Sequence, residues 1–543
     1  MAGRGLFREP EADYEALRRG FHWRLPGAFN MGSACLRGGG PDAVALLVRR
    51  AEGETETLTF GDLDRRSAAL ANVLKGGGVG PGDRVAICLP QGAEAAFAYL
   101  AAFRMGAVAV PVSGLFGPDA IRYRLGHSEA AAMVTDASGA GKVGEVRGDL
   151  EALRLLLVAG EDDPPDAVGL QEALAAASDA FEDRRTRAEE PALLVYTSGT
   201  TGEPKGTLHA HRYLFGAFPA VELAHWPLPS DGDLFWTPAD WSWVAALMDV
   251  VLPAWYFGTP VLATPRTEFD PGWAFRVMSE QSVANAYLPP TALKMLRGAG
   301  DPTARPSLRS VMTGGEVLGA EMLAWAEGVL GVTVEETYGQ TEANLTVGNA
   351  SRFWPVRPGS MGLPYPGHDV AIQREDGSEA DPGEMGEIAV RRPDPAMFLR
   401  YLDAPEQTEE VFRGDWLRSG DLAHRDDEGY LWFEGRRDDL INVAGHRIGP
   451  AEIEESLIGH PAVGMAGVIG IPDEERGQAI KAFVVLAEGA RGSDQLEAEL
   501  REHVRRRLGA HLYPRTFEFL DELPLTVSGK IRRRDLRERE GSL

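Results

Sequence analysis

The chain has 543 residues, of which 44% are hydrophobic and 25% charged, and its formal net charge is −26. This length exceeds one ordinary hydrophobic core and predicts two or more domains, while the acidic balance argues against a nucleic-acid groove. No window approaches the roughly 18 uninterrupted apolar residues of a membrane span, and residues 1–20 lack the apolar region of a signal peptide. Cys35 and Cys88 are the only cysteines, and we expect them to be small buried side chains in a reducing, cytoplasmic setting.

Short apolar runs alternate with helical patterns between residues 57 and 430 and end in Gly, Ser, Thr or Asp. Such runs are typical of buried strands in an α/β sheet, whose carboxyl ends commonly bind ligands. Segments 138–152 and 161–190 are instead expected at the surface. The predicted strands are RVAICLP (84–90), AAMVTDA (131–137), LRLLLVAG (153–160), ALLVYT (192–197), TPVLAT (259–264), LRSVMTGGE (308–316) and VTVEET (332–337).

A second, smaller unit is predicted after the charged and glycine-punctuated segment 434–450. It begins with a helical pattern at 451–460 and continues with the apolar run GMAGVIG (464–470). Ser493 is a suitable helix cap for a second amphipathic helix. The apolar face of that helix is formed by Leu496, Leu500, Val504 and Leu508.

The loop YTSGTTGEPKG (196–206) follows directly on the run ALLV and combines glycines, hydroxyls and one lysine. Successive backbone N–H groups in such a turn can form an anion-binding nest, and glycines let the backbone approach a ligand closely. Lys205 adds positive charge, but Gly206 follows it, so the Walker spacing is absent. The composition favours a phosphate-binding loop over a flexible surface turn. Its hydroxyl donors are Thr197, Ser198, Thr200 and Thr201.

Six motifs, in the same order and over nearly the whole chain, resemble those of the adenylate-forming (ANL) superfamily, acyl-CoA synthetase branch. The resemblance implies an α/β fold with a large N-terminal AMP-binding domain at 1–437, built from sheets with flanking helices, and a small mobile α+β domain at 438–543. The motifs are YTSGTTGEPKG (196–206), TGGE (313–316), ETYGQTE (336–342), WLRSGDLA (416–423), GRRDDLINVAGHRIGPAEIE (435–454) and PLTVSGK (524–530).

The resemblance also implies a reaction in two steps. A carboxylic acid attacks the α-phosphate of ATP, pyrophosphate leaves, and the thiol of coenzyme A then displaces AMP from the acyl adenylate. ATP, Mg²⁺ and coenzyme A are thus the expected cofactors and partners of a small-molecule acid. Because an anion must approach a polyanion, catalysis should rest on charge screening and positioning.

Three charged residues are the implied catalytic groups. Lys530 would reach between the carboxylate and the α-phosphate, Lys205 would contact the phosphates, and Glu342 would bind Mg²⁺ together with the Thr201 hydroxyl. The alternatives are a solvated basic tail beginning at Lys530 and a helix-start glutamate at position 342.

Further nucleotide contacts are implied along the matching motifs. Asp421 can accept hydrogen bonds from the two ribose hydroxyls, and Arg436 and Arg447 can meet the sugar or phosphates, although a turn aspartate and surface arginines are the plain alternatives. The implied ATP-binding set is Thr197, Ser198, Gly199, Thr200, Thr201, Gly202, Gly315, Glu316, Glu336, Thr337, Tyr338, Gly339, Gln340, Thr341, Asp421, Arg436 and Arg447.

Asp438 resembles the hinge about which the small domain rotates between the two half-reactions. Ala444, Gly445 and Arg505 would then lie near coenzyme A. Arg505 belongs to a run of three arginines that would equally complement a helix dipole.

The acyl pocket is expected at Gly339, Trp241 and Trp243. Acetyl-specific relatives carry a large aromatic residue where Gly339 stands, so a short- to medium-chain or branched fatty acid is expected here. Ordinary helix core is the alternative for the two tryptophans. Many relatives continue the YGQTE motif with Thr-Gly, whereas this chain has Ala343 and Asn344.

Two other functions remain open at this point. An adenylation enzyme would load a separate acyl carrier protein, since thirteen residues follow Lys530. A nonenzymatic nucleotide-binding regulator on the same scaffold would not need Lys530, Glu342 and Asp421 together.

Overall fold

Four β-sheets organise the chain in this computed structural model, which describes residues 5–7, 13–50, 53–160, 167–197, 204–266, 268–316, 318–443, 446–473, 477–487, 489–508, 513–526 and 531–541. Three sheets are built from strands before residue 437 and the fourth from strands after residue 440. The predicted α/β class, with a large N-terminal part and a small C-terminal part, is confirmed. The exact boundary at 437/438 stays a prediction.

The described strands in chain order are β1 Val44–Arg49, β2 Thr55–Thr59, β3 Arg84–Cys88, β4 Val108–Pro111, β5 Ala130–Asp136, β6 Leu155–Ala159, β7 Val168–Gly169, β8 Pro191–Thr197, β9 Lys205–Ala210, β10 Phe235–Trp236, β11 Val261–Ala263, β12 Asn285–Tyr287, β13 Ser310–Gly314, β14 Val334–Gln340, β15 Ala343–Gly348, β16 Leu363–Pro364, β17 Val370–Gln373, β18 Gly386–Arg391, β19 Arg400–Tyr401, β20 Phe412–Arg413, β21 Trp416–Arg425, β22 Leu431–Arg436, β23 Ile441–Val443, β24 His446–Ile448, β25 Val463–Asp473, β26 Gly477–Leu486 and β27 Thr516–Leu520.

The described α-helices are α1 Tyr14–Gly20, α2 Met31–Leu36, α3 Phe60–Gly76, α4 Ala93–Met105, α5 Pro118–His127, α6 Ala137–Val146, α7 Leu170–Ala176, α8 Tyr213–Ala224, α9 Val244–Ala246, α10 Leu252–Phe257, α11 Pro271–Glu280, α12 Pro290–Gly298, α13 Ala320–Leu330, α14 Pro405–Glu410, α15 Pro450–Ile458, α16 Asp494–Leu508 and α17 Arg533–Arg539. Short 3₁₀ turns occupy Arg147–Asp149 and Arg437–Asp439, and a π-helical turn, Leu247–Val251, joins α9 to α10.

The first large sheet has eight strands in the order β19-β9-β8-β4-β3-β5-β6-β7. Strand β3 is parallel to both β4 and β5, and β9 returns antiparallel to β8. These central strands are apolar on both faces because helices cover the sheet, as expected for parallel strands. The four predicted strands at 84–90, 131–137, 153–160 and 192–197 all lie in this sheet.

The second large sheet has nine strands in the order β16-β15-β14-β13-β12-β10-β11-β1-β2. Its strands β10 to β14 are parallel, and β15 turns back antiparallel to β14. Helices α4 and α8 are buried along nearly their whole lengths because they belong to the core shared by the two large sheets. Burial on all sides explains why both helices are so uniformly apolar.

The third sheet joins β17, β18, β21 and β20, with β22 paired to β21, and it carries the motif WLRSGDLA on β21. The fourth joins β24, β23, β26 and β25, with β27 parallel to β26. Helix α16 packs on this sheet through Leu496, Leu500 and Val504. The Oγ of Ser493 accepts from the backbone N–H of Leu496 at 3.1 Å, which confirms the predicted helix cap.

Two expectations about segments need correction. The strand predicted at 332–337 is β14, and it extends to Gln340, so that YGQTE completes this strand and forms the turn to β15, because Thr337 to Gln340 pair with the returning strand. Segment 138–152 is not only surface, since α6 buries Ala140 and Val143 against the first sheet.

Both cysteines are buried, as expected. Within the described ranges, no helix combines the length and apolar character needed to cross a membrane.

Candidate functional site

The predicted site residues gather where strands of the three N-terminal sheets approach one another. Thr197 ends β8 and pairs with Lys205 at the start of β9, so the two described ends of the predicted phosphate loop lie side by side in the first sheet. Gln340 ends β14 in the second sheet. Asp421 and Arg436 face each other on β21 and β22 of the third. Residues far apart in the chain thus meet in one place.

Tyr401 links the lysine and the carboxylate of the predicted catalytic set. Its hydroxyl donates to Oε1 of Glu342 at 2.7 Å, and the Nζ of Lys205 lies 5.0 Å from its ring centroid. Burial, and next the Glu342 carboxylate, raise the pKa of Tyr401, so its hydroxyl remains a donor. Tyr401 is positioned by the pairing of β19 with β9. Sequence analysis missed this residue because it belongs to none of the six motifs.

Asp421 is the centre of a second group of polar contacts. Its Oδ2 accepts from the Tyr338 hydroxyl at 2.7 Å and from the Gln340 amide at 2.6 Å, and its Oδ1 accepts from Arg436 at 3.1 Å. Three predicted nucleotide-binding residues therefore converge on the carboxylate expected to hold the ribose. Both carboxylate oxygens already have protein partners, so a ribose would share or replace these donors.

The two groups are adjacent. The positive charge of Arg436 is close enough to lower the pKa of the Tyr401 hydroxyl, partly opposing the effect of Glu342. Arg436 is thus near both Asp421 and the Tyr401 hydroxyl. Carboxylates and cations alternate across this surface, an arrangement that suits binding and screening a polyanion.

Glu336 and Thr337 do not present their side chains to this surface, and their predicted contacts with ATP stay a prediction. The Glu336 carboxyl is 3% exposed and accepts from the backbone N–H of Leu318 at 3.2 Å. The Thr337 hydroxyl donates to the carbonyl oxygen of Thr313 at 2.9 Å. The side chains of Tyr338 and Gln340 face Asp421, whereas those of Glu336 and Thr337 bond to backbone groups of the neighbouring segments.

Gly339 is half-buried and a side chain there would not point into open space, which argues against the expectation that it widens an acyl pocket. A Cβ built at Gly339 would lie 2.2 Å from the backbone nitrogen of Leu345 on the returning strand. The pairing of β14 with β15 shifts register between Tyr338 and Gln340, which brings the two backbones together here. The absence of a side chain at this position therefore serves the hairpin.

The other motif residues of the second sheet lie beside this hairpin. Gly315 has a φ of 101°, a conformation that favours glycine. The Glu316 carboxylate pairs with Lys294 at 3.1 Å, and the carbonyl oxygen of Thr341 accepts from the Tyr213 hydroxyl at 3.0 Å. Their proposed nucleotide contacts remain predictions.

The two tryptophans of the expected acyl pocket differ in burial. Trp241 is 1% exposed, belongs to the main core, and packs edge-on against Trp255 with ring centroids 6.1 Å apart. The core alternative therefore describes Trp241 better than a pocket wall does. Trp243 is half-buried at the start of α9, where its role stays a prediction.

Asp438 lies between anchors that belong to different parts of the molecule. On one side, Arg437 pairs with Glu387 of β18 at 2.7 Å. On the other, Asp439 pairs with Arg537 at 2.7 Å and Arg533 at 3.4 Å, both on α17. A change of backbone angles at Asp438 would leave both sets of ion pairs intact. This arrangement supports the proposed hinge.

Several predictions fall on residues whose placement the structure does not describe. These are Ser198, Gly199, Thr200, Thr201, Gly202, Ala444, Gly445, Lys530 and the side chain of Arg447. Arg505, the remaining predicted contact to coenzyme A, is described: its side chain is 58% exposed in the last turn of α16, 3.9 Å from Glu502.

Glu342 offers the chemistry that Mg²⁺ prefers. Its half-buried carboxylate has a hard oxygen, Oε2, besides the Oε1 that accepts from Tyr401. Among the described residues, no group of three or more His, Cys, Asp or Glu side chains could hold a metal ion by itself. A cation at Glu342 would accordingly take most of its ligands from phosphate and water, as Mg²⁺ commonly does.

Comparison with known proteins places this arrangement in a family. The profile of the AMP-binding enzyme family matches residues 37–402, and that of the AMP-binding enzyme C-terminal domain matches residues 452–530. Acetyl-coenzyme A synthetase of Bacillus subtilis (strain 168) is 37% identical over 509 residues, covering 92% of this chain and 88% of that protein. Acyl-coenzyme A synthetase ACSM5, mitochondrial, of Mus musculus is 36% identical over 493 residues, covering 89% and 84%.

Solved structures agree with this assignment over both parts of the chain. The crystal structure of Brucella canis acyl-CoA synthetase superposes with a TM-score of 0.75 at 33% identity, covering 97% of this chain and 99% of that one. The anthranilate CoA ligase AuaEII in complex with anthranoyl-AMP superposes with a TM-score of 0.87 at 27% identity, covering 95% and 98%. Because sequence profile, overall identity and fold all agree from the first sheet to the last, this chain belongs to the AMP-binding enzyme family.

Proposed function

We propose that this protein ligates a carboxylic acid to coenzyme A through an acyl adenylate. In the first step the acid carboxylate attacks the α-phosphate of ATP and pyrophosphate leaves. In the second the thiol of coenzyme A attacks the acyl carbonyl, AMP leaves, and the thiol proton is released. The relatives named above carry these activities in their names, which supports the proposal for this chain.

The observation that carries the proposal is the convergence of Lys205, Tyr401, Glu342, Arg436 and Asp421 beside the end of β8. Two cations and two carboxylates at one surface suit a nucleotide, since the cations can neutralise phosphate oxygens while a carboxylate accepts from ribose hydroxyls. Such preorganised charges lower the barrier most when aimed at the developing charge.

In this proposal each residue has a separate task. Asp421, aligned by Tyr338 and Gln340, binds the ribose, and Lys205 with Arg436 orients the phosphates. Glu342, held by the Tyr401 hydroxyl, binds Mg²⁺ with Thr201, and the cation would neutralise phosphate charge. Lys530 screens the attacking carboxylate. The acid has the carbon skeleton of a short- to medium-chain or branched fatty acid.

The proposal is tested by supplying magnesium, ATP and acids of two to twelve carbons, with aryl acids included, and measuring AMP and pyrophosphate with and without coenzyme A. We expect pyrophosphate from at least one acid and a thioester only when coenzyme A is present. A panel that never yields AMP would overturn the proposal. A thioester formed on an added acyl carrier protein but not on coenzyme A would favour the carrier-loading alternative.

Lys530→Ala separates the two steps. We expect acyl-adenylate formation to fall by roughly 10²–10³ because a cation at the developing charge contributes about 3–4 kcal/mol. Transfer from a preformed adenylate to coenzyme A should persist. Arg534→Ala is the control, because Arg534 is an exposed neighbour whose ion pair among the described residues is the local one with Glu538. Equal loss in both half-reactions of Lys530→Ala would contradict the assigned role.

A further inference from the structure

A buried carboxyl–amide pair lies directly behind the turn of the YGQTE motif. The Nδ2 of Asn344 donates to Oδ1 of Asp249. Asp249 is 2% exposed and Asn344 6% exposed. Polar side chains this deep in an apolar region are costly unless they bond to protein, water or ligand. Apolar packing therefore does not explain why these two polar side chains are buried here.

Both residues lie on irregular backbone. Asp249 belongs to the π-helical turn Leu247–Val251, a form that is rare and frequent at functional sites. Asn344 is followed by Leu345, whose φ of 51° is unfavourable for a branched side chain. Such strain persists where the surrounding structure imposes it, commonly at ligand sites. Two independent departures from regular geometry thus meet at one point.

This point borders the proposed reacting centre. Asn344 lies two residues after Glu342, on β15 just past the turn of the same hairpin. Tyr213 connects the two places: its hydroxyl donates to the carbonyl oxygen of Thr341, and its ring lies close enough to both Asp249 and Glu342 for each to add to the rise in its pKa that burial causes. The side chain of Tyr213 therefore lies between the Asp249–Asn344 pair and the turn that bears Glu342.

The pair leaves hydrogen-bonding groups unused. Within the described part of the chain, the second oxygen of Asp249 and the carbonyl oxygen of Asn344 have no protein partner. No described cation contacts Asp249, and burial raises its pKa well above the ordinary value. A neutral carboxyl presents one donor and one acceptor, and the amide oxygen adds an acceptor. A hydroxyl group, which both donates and accepts, matches this set.

A neighbouring histidine extends the polar surface. His209 stacks on Tyr213 with ring centroids 3.9 Å apart. Both of its ring nitrogens are buried and lack a partner among the described residues. Burial lowers its pKa to about 3, so the ring is neutral and offers one donor and one acceptor. An apolar acyl chain alone would satisfy none of these groups.

We propose that the Asp249–Asn344 pair selects, as the acid substrate, a short carboxylic acid that bears a hydroxyl group on its carbon chain. This inference rests on the proposed function, because only an acid bound for adenylation would lie beside Glu342. A polar contact, rather than chain length, would then be the main determinant of specificity for the acid substrate.

The test compares acids with the same number of carbons. Values of kcat/KM for AMP formation are measured with butanoate, 2-, 3- and 4-hydroxybutanoate and 4-aminobutanoate. We expect at least one hydroxy acid to exceed butanoate roughly tenfold or more, because a site built for a hydroxyl disfavours the analogue without it. Preference for butanoate over every hydroxy acid would overturn the inference, and so would preference for the amino acid, which would indicate a cation site.

Two variants examine the pair itself. Asp249→Leu combined with Asn344→Ala removes both polar groups, and we expect the hydroxy-to-butanoate ratio to fall to about one or below while butanoate is still turned over. Asp249→Asn keeps an oxygen that can accept from Asn344 and places an N–H donor where the carboxyl O–H stood, so it should retain part of the preference. The conservative variant also decides the question if the double variant fails to fold.

A second buried pair provides the matched control. The Nδ2 of Asn285 donates to Oδ1 of Asp233 at 2.8 Å. Asn285 begins β12 and Asp233 precedes β10, so this pair lies at the amino ends of parallel strands of the second large sheet, away from the site. Asn285→Ala should lower the apparent Tm without changing the substrate ratio. A ratio that changes equally in this control and in the double variant would assign Asp249 and Asn344 a structural role only.

Failure of the proposed function gives a different result. In that case no acid yields AMP with any variant. The rise in apparent Tm on adding each hydroxy acid would then decide the role of the pair, and equal rises in wild type and double variant would overturn the inference.

Discussion

Carboxyl groups of this protein fall into two classes that differ in their partners. Glu342 and Asp421 accept from hydroxyl, amide or guanidinium donors at the site surface. Glu335 and Glu336 are buried in β14, and burial raises their pKa to about 7 and about 8. The second class stabilises the fold when protonated, whereas the first is suited to bind a nucleotide and a cation when ionised.

Glu336→Gln should change how stability depends on pH. The folded-state pKa of Glu336 is about 8 and lies above the ordinary value of 4.5. Its favourable contribution to the free energy of unfolding is therefore complete below pH 4.5 and is lost as the pH rises through 8. The neutral amide removes this loss, so the variant should match wild type at pH 5 and be more stable at pH 8, on the order of 2–4 kcal/mol. Thermal unfolding at both pH values measures it. Glu327→Gln, on the exposed side of α13, is the control, and an equal effect of Glu336→Gln at both pH values would contradict the assignment.

The hairpin of β14 and β15 is the element that carries most of the site. Its register shift brings Gly339 against Leu345, and its turn holds Thr341 and Glu342. The Phe398 N–H donates to the carbonyl oxygen of Glu342 at 2.8 Å, which ties the turn to the strand that bears Tyr401. Small movements of this hairpin should therefore affect metal, nucleotide and acid binding together.

Gly339→Ala tests that view. The added Cβ would meet backbone, which cannot rotate away, so we expect a cost of about 1–3 kcal/mol and reduced activity with all acids alike. The measurement is the apparent Tm and kcat/KM across the acid panel. Gly328→Ala, a helical position with nothing within 4 Å of the new Cβ, should be harmless. A stable Gly339→Ala enzyme with a changed chain-length profile would restore the pocket interpretation.

At the scale of the whole molecule, the connection between the large and small parts passes through Asp438. Ion pairs anchor Arg437 to β18 and Asp439 to α17, so a rotation at Asp438 would keep both sets of ion pairs. Hinges of this kind are a few residues at element ends that absorb the change in backbone angles. The two half-reactions need different groups at one site, which is what such a rotation would supply.

Asp438→Pro should separate the half-reactions. Proline fixes φ and restricts the preceding residue, so one orientation of the small part is favoured. We expect one half-reaction to persist and the other to fall about tenfold or more, whereas Asp438→Ala keeps both. Single-turnover formation of the adenylate and of the thioester distinguishes them. Two half-reactions that fall in parallel would argue against a hinge at this residue.

Local patterns in the sequence were enough for the strands, the order of the motifs and the capped helix α16. Each of these depends on residues close together in the chain: an apolar run bounded by turn residues, a glycine-rich loop after a strand, Ser493 before an amphipathic repeat. Such signals survive in any tertiary context because they act through backbone preference and side-chain periodicity.

Only the tertiary structure decided which side chains meet. Tyr401 reaches Glu342 because β19 pairs with β9, Trp241 is core because helices pack between two sheets, and Asp249 bonds to Asn344 across an α/π helix and a hairpin. The glycine at position 339 predicted an open pocket, but the backbone of the returning strand lies where its side chain would point. Motifs specify the chemistry that a chain carries, whereas the contacts that select a substrate depend on strand register and packing between distant segments, which no local pattern encodes.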